Sequence, residues 1–358
     1  MRIAVLGTGL IGGSIGLAAR ERVSGAEVAG YDCNRVAAAA AHERGALDAV
    51  AGSVGEAVAG AKACFCCAPV GALPELVREA LAAAPADCVV TDVGSTKRAI
   101  AAASDDERFV PGHPVAGSET AGIEHARAEL FEGATWYFTP RERASGLLYE
   151  RLHRLVAALG AHPVAIDPEA HDRLLAAVSH LPHVIANVLV TRVAGLAAGS
   201  EGGVPRVGPS FRDATRVAGA NPAIWTDIYA SNASAIASEI DAAVDALHDV
   251  ADSLRAGDAA SIAAWSDAAR SDRARVLEAE LVGGPARELR ITVPNRPGIV
   301  AQVALALGRA GVNIVDMALA PAADMSSGAM TLWVAGDETA ERARELIEEL
   351  GFPVEVAA

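Results

Sequence analysis

The chain has 358 residues and carries 30 Lys plus Arg against 45 Asp plus Glu, a formal charge of -15. At roughly 100–200 residues per domain it is too long for one ordinary core and divides into two or three. The acidic balance excludes nucleic acid and an anionic membrane as partners, since both need clustered positive charge, but it leaves room for a small anionic substrate held by a few local arginines.

Residues 1–166 alternate short β-rich runs (RIAVLG, EVAGYD, ACFCCA, CVVTDV, ATWYFTP, HPVAI) with Ala-rich helical segments. That alternation predicts βαβ units in a parallel sheet. Gly7-x-Gly9-x-x-Gly12 follows the first run and opens a helix at Leu10 and Ile11. In that context the glycines allow a tight turn, close approach of a pyrophosphate and helix-on-strand packing, so the domain is Rossmann-type and binds a dinucleotide. Asp32 ends the second run 20 residues after Gly12. A carboxylate there accepts both ribose hydroxyls and repels a 2′-phosphate, which predicts NAD over NADP. Ala68 and Pro69 end the cysteine-rich run and either line the nicotinamide side or simply close a strand.

Cys33, Cys64, Cys66, Cys67 and Cys88 all lie in the first quarter. They read as reduced thiols, since a disulfide framework needs dispersed pairs, and no His or Cys stands at finger-like spacing for a zinc site. No metal is expected. The glycine-patterned N-terminus reads as strand and turn, not as a secretory leader, and no run of about 18 apolar residues is free of charge or turn residues. The expectation is a soluble cytoplasmic protein.

Two polar clusters sit at strand ends, Asp92-Val93-Gly94-Ser95-Thr96-Lys97 and Gly112-His113-Pro114-Val115-Ala116-Gly117-Ser118-Glu119. Open α/β sheets place their ligand crevices there. A histidine at such a position can take the proton of an alcohol as hydride leaves its carbon, or can serve only as a hydrogen-bonded turn element.

Residues 167–282 change to long Ala-rich stretches with apolar residues three and four apart, a helical domain. Asp167-Pro168-Glu169 marks its entry, with an N-cap carboxylate and a proline suited to the first helical position. Ser179 and His183 lie four apart on one helix face, with Asp172 two turns earlier, and Pro182 between them is expected to bend the helix. GSEGGVPRVGPS reads as a loop and Val282-Gly283-Gly284-Pro285 as a linker. Residues 287–358 follow the order strand, helix, strand, strand, helix, strand, a ferredoxin-like βαββαβ unit.

DVGSTK, PGHPVAGSE, SHLPH and FRDATRVAGANPAIW, ordered and spaced along residues 1 to about 280, resemble the prephenate/arogenate dehydrogenase family. The resemblance implies NAD-dependent oxidation with loss of carbon dioxide, with His113 as the base on the ring hydroxyl and Ser95 as its hydroxyl-contacting partner. It implies Ser179 and His183 against substrate, Asp172 and Glu119 in the polar network of the site, and Arg216 on a substrate carboxylate, which a guanidinium fork matches. Trp225 either covers the pocket or is plain core, and Asp172 is otherwise a solvated helix charge. The choice between prephenate and arogenate stays open.

The segment ELRITVPNRPGIVAQVALALGRAGVNIVDM resembles an ACT domain. That resemblance implies an effector amino acid, tyrosine or phenylalanine, held between the loop Asn295, Arg296, Pro297 and Gly298 and a partner ACT domain, or else a module that only dimerises. The helical domain's Ala-rich faces suit a homodimer. A β-hydroxyacid dehydrogenase would use a lysine of its helical domain, yet no lysine follows Lys97. A non-catalytic sensor of NAD and an amino acid is the reading from another class.

Overall fold

The computed structural model describes residues 1–116, 120–198, 206–278, 286–294, 296, 298–312, 314–321 and 327–356. In the first domain β1 (Arg2–Leu6), β2 (Glu27–Tyr31), β3 (Ala49–Val50), β4 (Ala63–Cys66) and β5 (Val89–Asp92) form a parallel sheet in the order β3-β2-β1-β4-β5. The strands are apolar because both faces are covered, and every residue of β4 and β5 is buried. Helices α1 (Leu10–Arg22), α2 (Arg35–Glu43), α3 (Val54–Val58), α4 (Leu73–Ala83) and α5 (Arg98–Ala101) connect and follow them. In register, Leu6 faces Cys66 and Cys66 faces Asp92, so the turns after β1, β4 and β5 open along one edge.

The sequence reading of one parallel sheet through residue 166 needs correction. β6 (Gly112–Pro114), β7 (Thr135–Phe138) and β8 (His162–Ala165) form a separate three-stranded sheet in which β6 runs antiparallel to β7. His113 therefore lies in a strand opposite Tyr137 and not in a loop. Helix α6 (Gly146–Ala158) precedes β8.

The Asp167 carboxylate caps α7 (Pro168–Leu175), accepting from Glu169 N at 2.9 Å and Ala170 N at 3.2 Å. One π turn, Ala176–His180, then carries the chain into α8 (Leu181–Ala198). There Leu181 N donates to Ala176 O, five residues back. Pro182 has no N–H to donate, and the widened turn just before it absorbs the mismatch that the sequence suggested would bend the helix. After α9 (Pro209–Thr215) come α10 (Pro222–Ser231), α11 (Ala233–Ala256) and α12 (Ala259–Glu278).

The stretch Pro168–Leu196, with mean hydropathy 1.6, is long and apolar enough to cross a membrane, which the sequence reading did not anticipate. Its Asp172, His180 and His183 are buried against protein, whereas Val178, Ile185, Val188 and Leu196 are exposed. The linker proposed at Val282–Pro285, and Asn295 and Pro297 of the proposed effector loop, lie outside the described residues.

The third unit comprises β9 (Ala286–Pro294), α13 (Ile299–Arg309), β10 (Ile314–Pro321), β11 (Ser327–Ala335), α14 (Asp337–Glu349) and β12 (Val354–Val356). Its sheet is antiparallel in the order β10-β11-β9-β12. It is seated on the first domain, and one apolar cluster runs from Ile3 through Leu152 to Ile347. Gly298 (φ +83°) donates its N–H to Ala144 O at 3.0 Å, and a Cβ on it would sit 1.9 Å from Glu142 O. A Cβ on Gly308 would sit 1.5 Å from Ala165 O.

Because backbone cannot yield as a side-chain tip can, Gly308→Ala is expected to destabilise the seating by about 1–3 kcal/mol. Limited proteolysis should then release the third unit faster than in the parent protein; an unchanged cleavage rate and melting temperature would contradict the close approach.

Candidate functional site

The dinucleotide turn is built as the glycine spacing requires. Gly7 takes φ +98°, and a Cβ on it would fall 2.0 Å from Cys67 O; a Cβ on Gly12 would fall 1.9 Å from Gly7 O. Gly9 is different, with nothing within 4 Å of an added Cβ, so the backbone there faces open space. It stands at the N-terminus of α1, which has neither a side-chain cap nor an acidic residue in its first turn. Free N–H groups and the helix dipole suit a pyrophosphate at that point. Leu10 and Ile11, half-buried, anchor the helix start on the core.

Asp32 is half-buried at the end of β2, with Oδ2 accepting from Thr8 N at 2.7 Å and Thr8 Oγ1 at 3.0 Å, and Oδ1 from Asn34 N at 2.8 Å. Both lone pairs of Oδ2 are thereby used, and Oδ1 keeps capacity for a ribose hydroxyl. Ala68 and Pro69 lead from β4 into a short turn where Gly71 lies against Asp227 of α10. The helical domain thus closes one side of the crevice above the sheet.

Beneath that crevice lies a continuous buried polar network. Lys97, fully buried, donates from Nζ to an Asp92 carboxylate oxygen and to Gly112 O at 2.7 Å. Asp92 also accepts from Gly112 N at 3.1 Å and Gly94 N at 2.9 Å. Burial pulls the Lys97 ammonium below the usual lysine range against the attraction of Asp92. The pair ties the end of β5 to β6 and so fixes the strand that carries His113.

His113 is 7 % exposed, and its Nδ1 lies 2.9 Å from His171 Nε2. His171 Nδ1 in turn lies 2.9 Å from Asp172 Oδ1. Burial first, then the neighbouring His171, Lys97 and His180, hold His113 well below the ordinary histidine range. Burial opposes the Asp172 charge, yet bonds from His171, Arg98 N and Lys97 N outweigh it and keep the carboxyl below its usual range. Asp172 is therefore no solvated helix charge; it is 3 % exposed.

A second cluster sits on α8 and α10. His183 is 4 % exposed, and the Trp225 ring stacks on it with centroids 3.5 Å apart and planes parallel within 1°. Its Nδ1 meets the Tyr229 hydroxyl and lies 3.1 Å from Asn187 Nδ2, while its Nε2 has no partner among the described residues. Asn232 joins the two clusters, donating to Asp172 O at 2.7 Å and lying 3.3 Å from His180 Nδ1.

Of the residues expected from sequence, His113, Asp172 and His183 are buried in these clusters, and Trp225 is half-buried over His183. Ser95 is half-buried in the turn that ends in Lys97, and Ser179 is half-buried in the π turn. That turn breaks the simple four-residue spacing to His183. Arg216 is exposed on the one-turn helix Arg216–Gly219, outside the buried network, and Glu119 lies outside the described residues. His171, His180, Lys97, Asn187, Tyr229 and Asn232 were not singled out for the site. His171 was legible only as the neighbour of Asp172, and Lys97 as one of two lysines in the chain.

A dinucleotide turn facing a helical domain across a crevice, with a neutral histidine at its floor, defines a two-domain dinucleotide-linked dehydrogenase. The family model described as prephenate dehydrogenase, nucleotide-binding domain, matches residues 15–165, its dimerization domain 167–266, and an AHAS small subunit-like ACT domain 289–351. Prephenate dehydrogenase of Bacillus subtilis (strain 168) is 29% identical over 357 residues, 97% of this chain and 95% of the relative. Cyclohexadienyl dehydrogenase of Zymomonas mobilis is 32% identical over 244 residues, 67% of this chain and 83% of the relative. The Synechocystis arogenate dehydrogenase structure matches with a TM-score of 0.68 at 26% identity, covering 77% of this chain and 100% of that one. The chain belongs to the prephenate dehydrogenase family.

Burial depresses His113, His171 and His180, the last to about 4. In the unfolded chain the same groups titrate near 6.5 and take protons first, so their contribution to stability is complete above that pH and lost as pH falls through it. The melting temperature should therefore drop as pH falls from ~6.5 toward about 4, and a flat profile would contradict neutral burial.

Proposed function

We propose that the chain oxidises prephenate with NAD and loss of carbon dioxide, giving 4-hydroxyphenylpyruvate on the route to tyrosine. The observation that carries this reading is the buried neutral His113 between a dinucleotide turn and a helical domain, in a member of this family. Gly7, Gly9, Gly12 and the α1 N-terminus would hold the pyrophosphate of NAD, Asp32 its ribose, and Ala68 with Pro69 the nicotinamide side. Bound there, NAD supplies the hydride acceptor.

The residues of the chain do the rest. His113 takes the proton of the ring hydroxyl, with Ser95 as hydroxyl-contacting partner. As the carbonyl forms, the dienone draws electrons and the ring carboxylate leaves, with aromatisation driving the step. Ser179 and His183, under Trp225, bind substrate, and the unpartnered His183 Nε2 supports that role. Arg216 takes a carboxylate, which the planar fork of its guanidinium matches in two hydrogen bonds. Asp172 and Glu119 belong to the surrounding polar network.

The chain divides into a cofactor domain 1–166, a helical domain 167–282 and an ACT regulatory domain 287–358 that takes tyrosine or phenylalanine at Arg296 and Gly298, with Asn295 and Pro297. It works in the cytoplasm, in keeping with five free thiols. It pairs as a homodimer through the helical domain, whose Val178, Ile185, Val188 and Leu196 need an apolar cover. Gel filtration with light scattering should give the mass of two chains; a single-chain mass at micromolar concentration would remove the pairing.

Absorbance of NADH is the direct test, with prephenate and arogenate run in parallel, each with NAD and NADP. Turnover of prephenate with NAD is expected, and His113→Asn should lower kcat by about 10²- to 10⁴-fold while leaving NAD affinity intact. Preference for arogenate would move the substrate to that amino acid. No turnover of either, with NAD bound, would leave a sensor of NAD and an amino acid.

A further inference from the structure

We infer that His171 and Asp172 are positioning residues of this reaction, forming a buried relay through His113 that fixes which ring nitrogen faces the substrate. The inference rests on the reading of His113 as base. It gives Asp172, so far only a member of the surrounding polar network, a stated part in the reaction.

The carboxylate is already occupied. Asp172 Oδ1 accepts from Lys97 N at 2.7 Å and stands 2.9 Å from His171 Nδ1, and Oδ2 accepts from Arg98 N at 3.0 Å. An ionised carboxylate only accepts, so His171 must carry its proton on Nδ1. Its Nε2 is then a lone pair, and the 2.9 Å contact requires His113 to donate from Nδ1. That leaves His113 Nε2 unprotonated. The tautomer of the base is thereby set two residues away, by a carboxylate that never meets the substrate.

When the hydroxyl O–H bond breaks and Nε2–H forms, the imidazolium keeps its Nδ1–H on His171, and the polarised His171–Asp172 pair stabilises the new charge. No proton needs to reach Asp172. The other groups facing this site are Asp92 at the end of β5, Lys97 from the turn after it, His180 from the π turn and the Tyr137 ring of β7, 5.5 Å from His171. Lys97 and His180 oppose protonation of His113, as does His171 when it is charged; held neutral on Asp172, with its lone pair on His113, His171 is the favourable counterweight. It also crosses the joint between domains, with His113 on β6 and its partners on α7.

Asp172→Asn tests the idea through the tautomer. With its oxygen at the Oδ2 place on Arg98 N, the new amide would put its nitrogen at the Oδ1 place, giving up the bond from Lys97 N and presenting N–H to His171, which would turn that ring's donor toward His113 and put the His113 proton on Nε2. A wrong tautomer of this kind in a serine-protease triad costs about 10⁴ in kcat. Here kcat should fall about 10²- to 10⁴-fold with KM for the dienol acid and NAD affinity nearly unchanged. Imidazole nitrogen NMR, assigned with His113→Asn, should show the proton moved from Nδ1 to Nε2. His171→Gln, whose amide oxygen can still accept from Nδ1, should keep most of the kcat that His171→Leu loses.

A rise in KM with kcat retained in Asp172→Asn would put Asp172 on the substrate and overturn the relay. So would an unmoved proton in the NMR spectrum, or equal losses in His171→Gln and His171→Leu with both variants folded. The NMR arm needs no turnover, so it judges the relay even if the parent protein proves inactive on either dienol acid.

Discussion

A carboxylate with 3 % exposure cannot rely on water, and everything around Asp172 is arranged to supply what water would. Two consecutive backbone N–H groups, Lys97 and Arg98, reach it from the first domain, and His171 reaches it from its own helix. Asn232 binds the carbonyl of the same residue from the start of α11. The penalty of leaving any of these unmet, on the order of 1–3 kcal/mol for a buried group and more for a charge, holds two domains in one register. The crevice, the strand carrying His113 and the helix carrying His183 all take their relative places from that joint.

A second buried charge repeats the logic one layer deeper. Lys97 and Asp92 satisfy each other and the Gly112 peptide, so the end of β5 and the start of β6 move together. Removing one partner would leave the other charged in an apolar surround, far costlier than never having had the pair. The pair also places positive charge near His113, which favours the neutral ring that a base requires.

The third unit meets this centre through the entry of α7. Asp167 caps that helix and also pairs with Arg309 at 3.1 Å, and Arg309 ends α13, whose opposite end begins at Gly298. The segment between a candidate effector loop and the helix bearing His171 and Asp172 is thus one helix and one ion pair long. A ligand that favoured one seating of the third unit over another would act on the first turn of α7.

The sequence alone determined what depends on local geometry. The glycine turn, Asp32, the helical entry at Asp167 and the βαββαβ order of the third unit are all spacing rules, readable because each answers to neighbours within about one turn or one strand. His113, His183 and Trp225 were legible through motif resemblance, though not their partners. The tertiary structure alone decided the small second sheet, the π turn before Pro182, the docking of the third unit and the chain of contacts from Asp172 to His113. His171 and His113 are 58 positions apart, and Asn232 and Asp172 are 60. No periodicity records such distances, because a buried hydrogen bond selects its partner by position in space after the chain has packed.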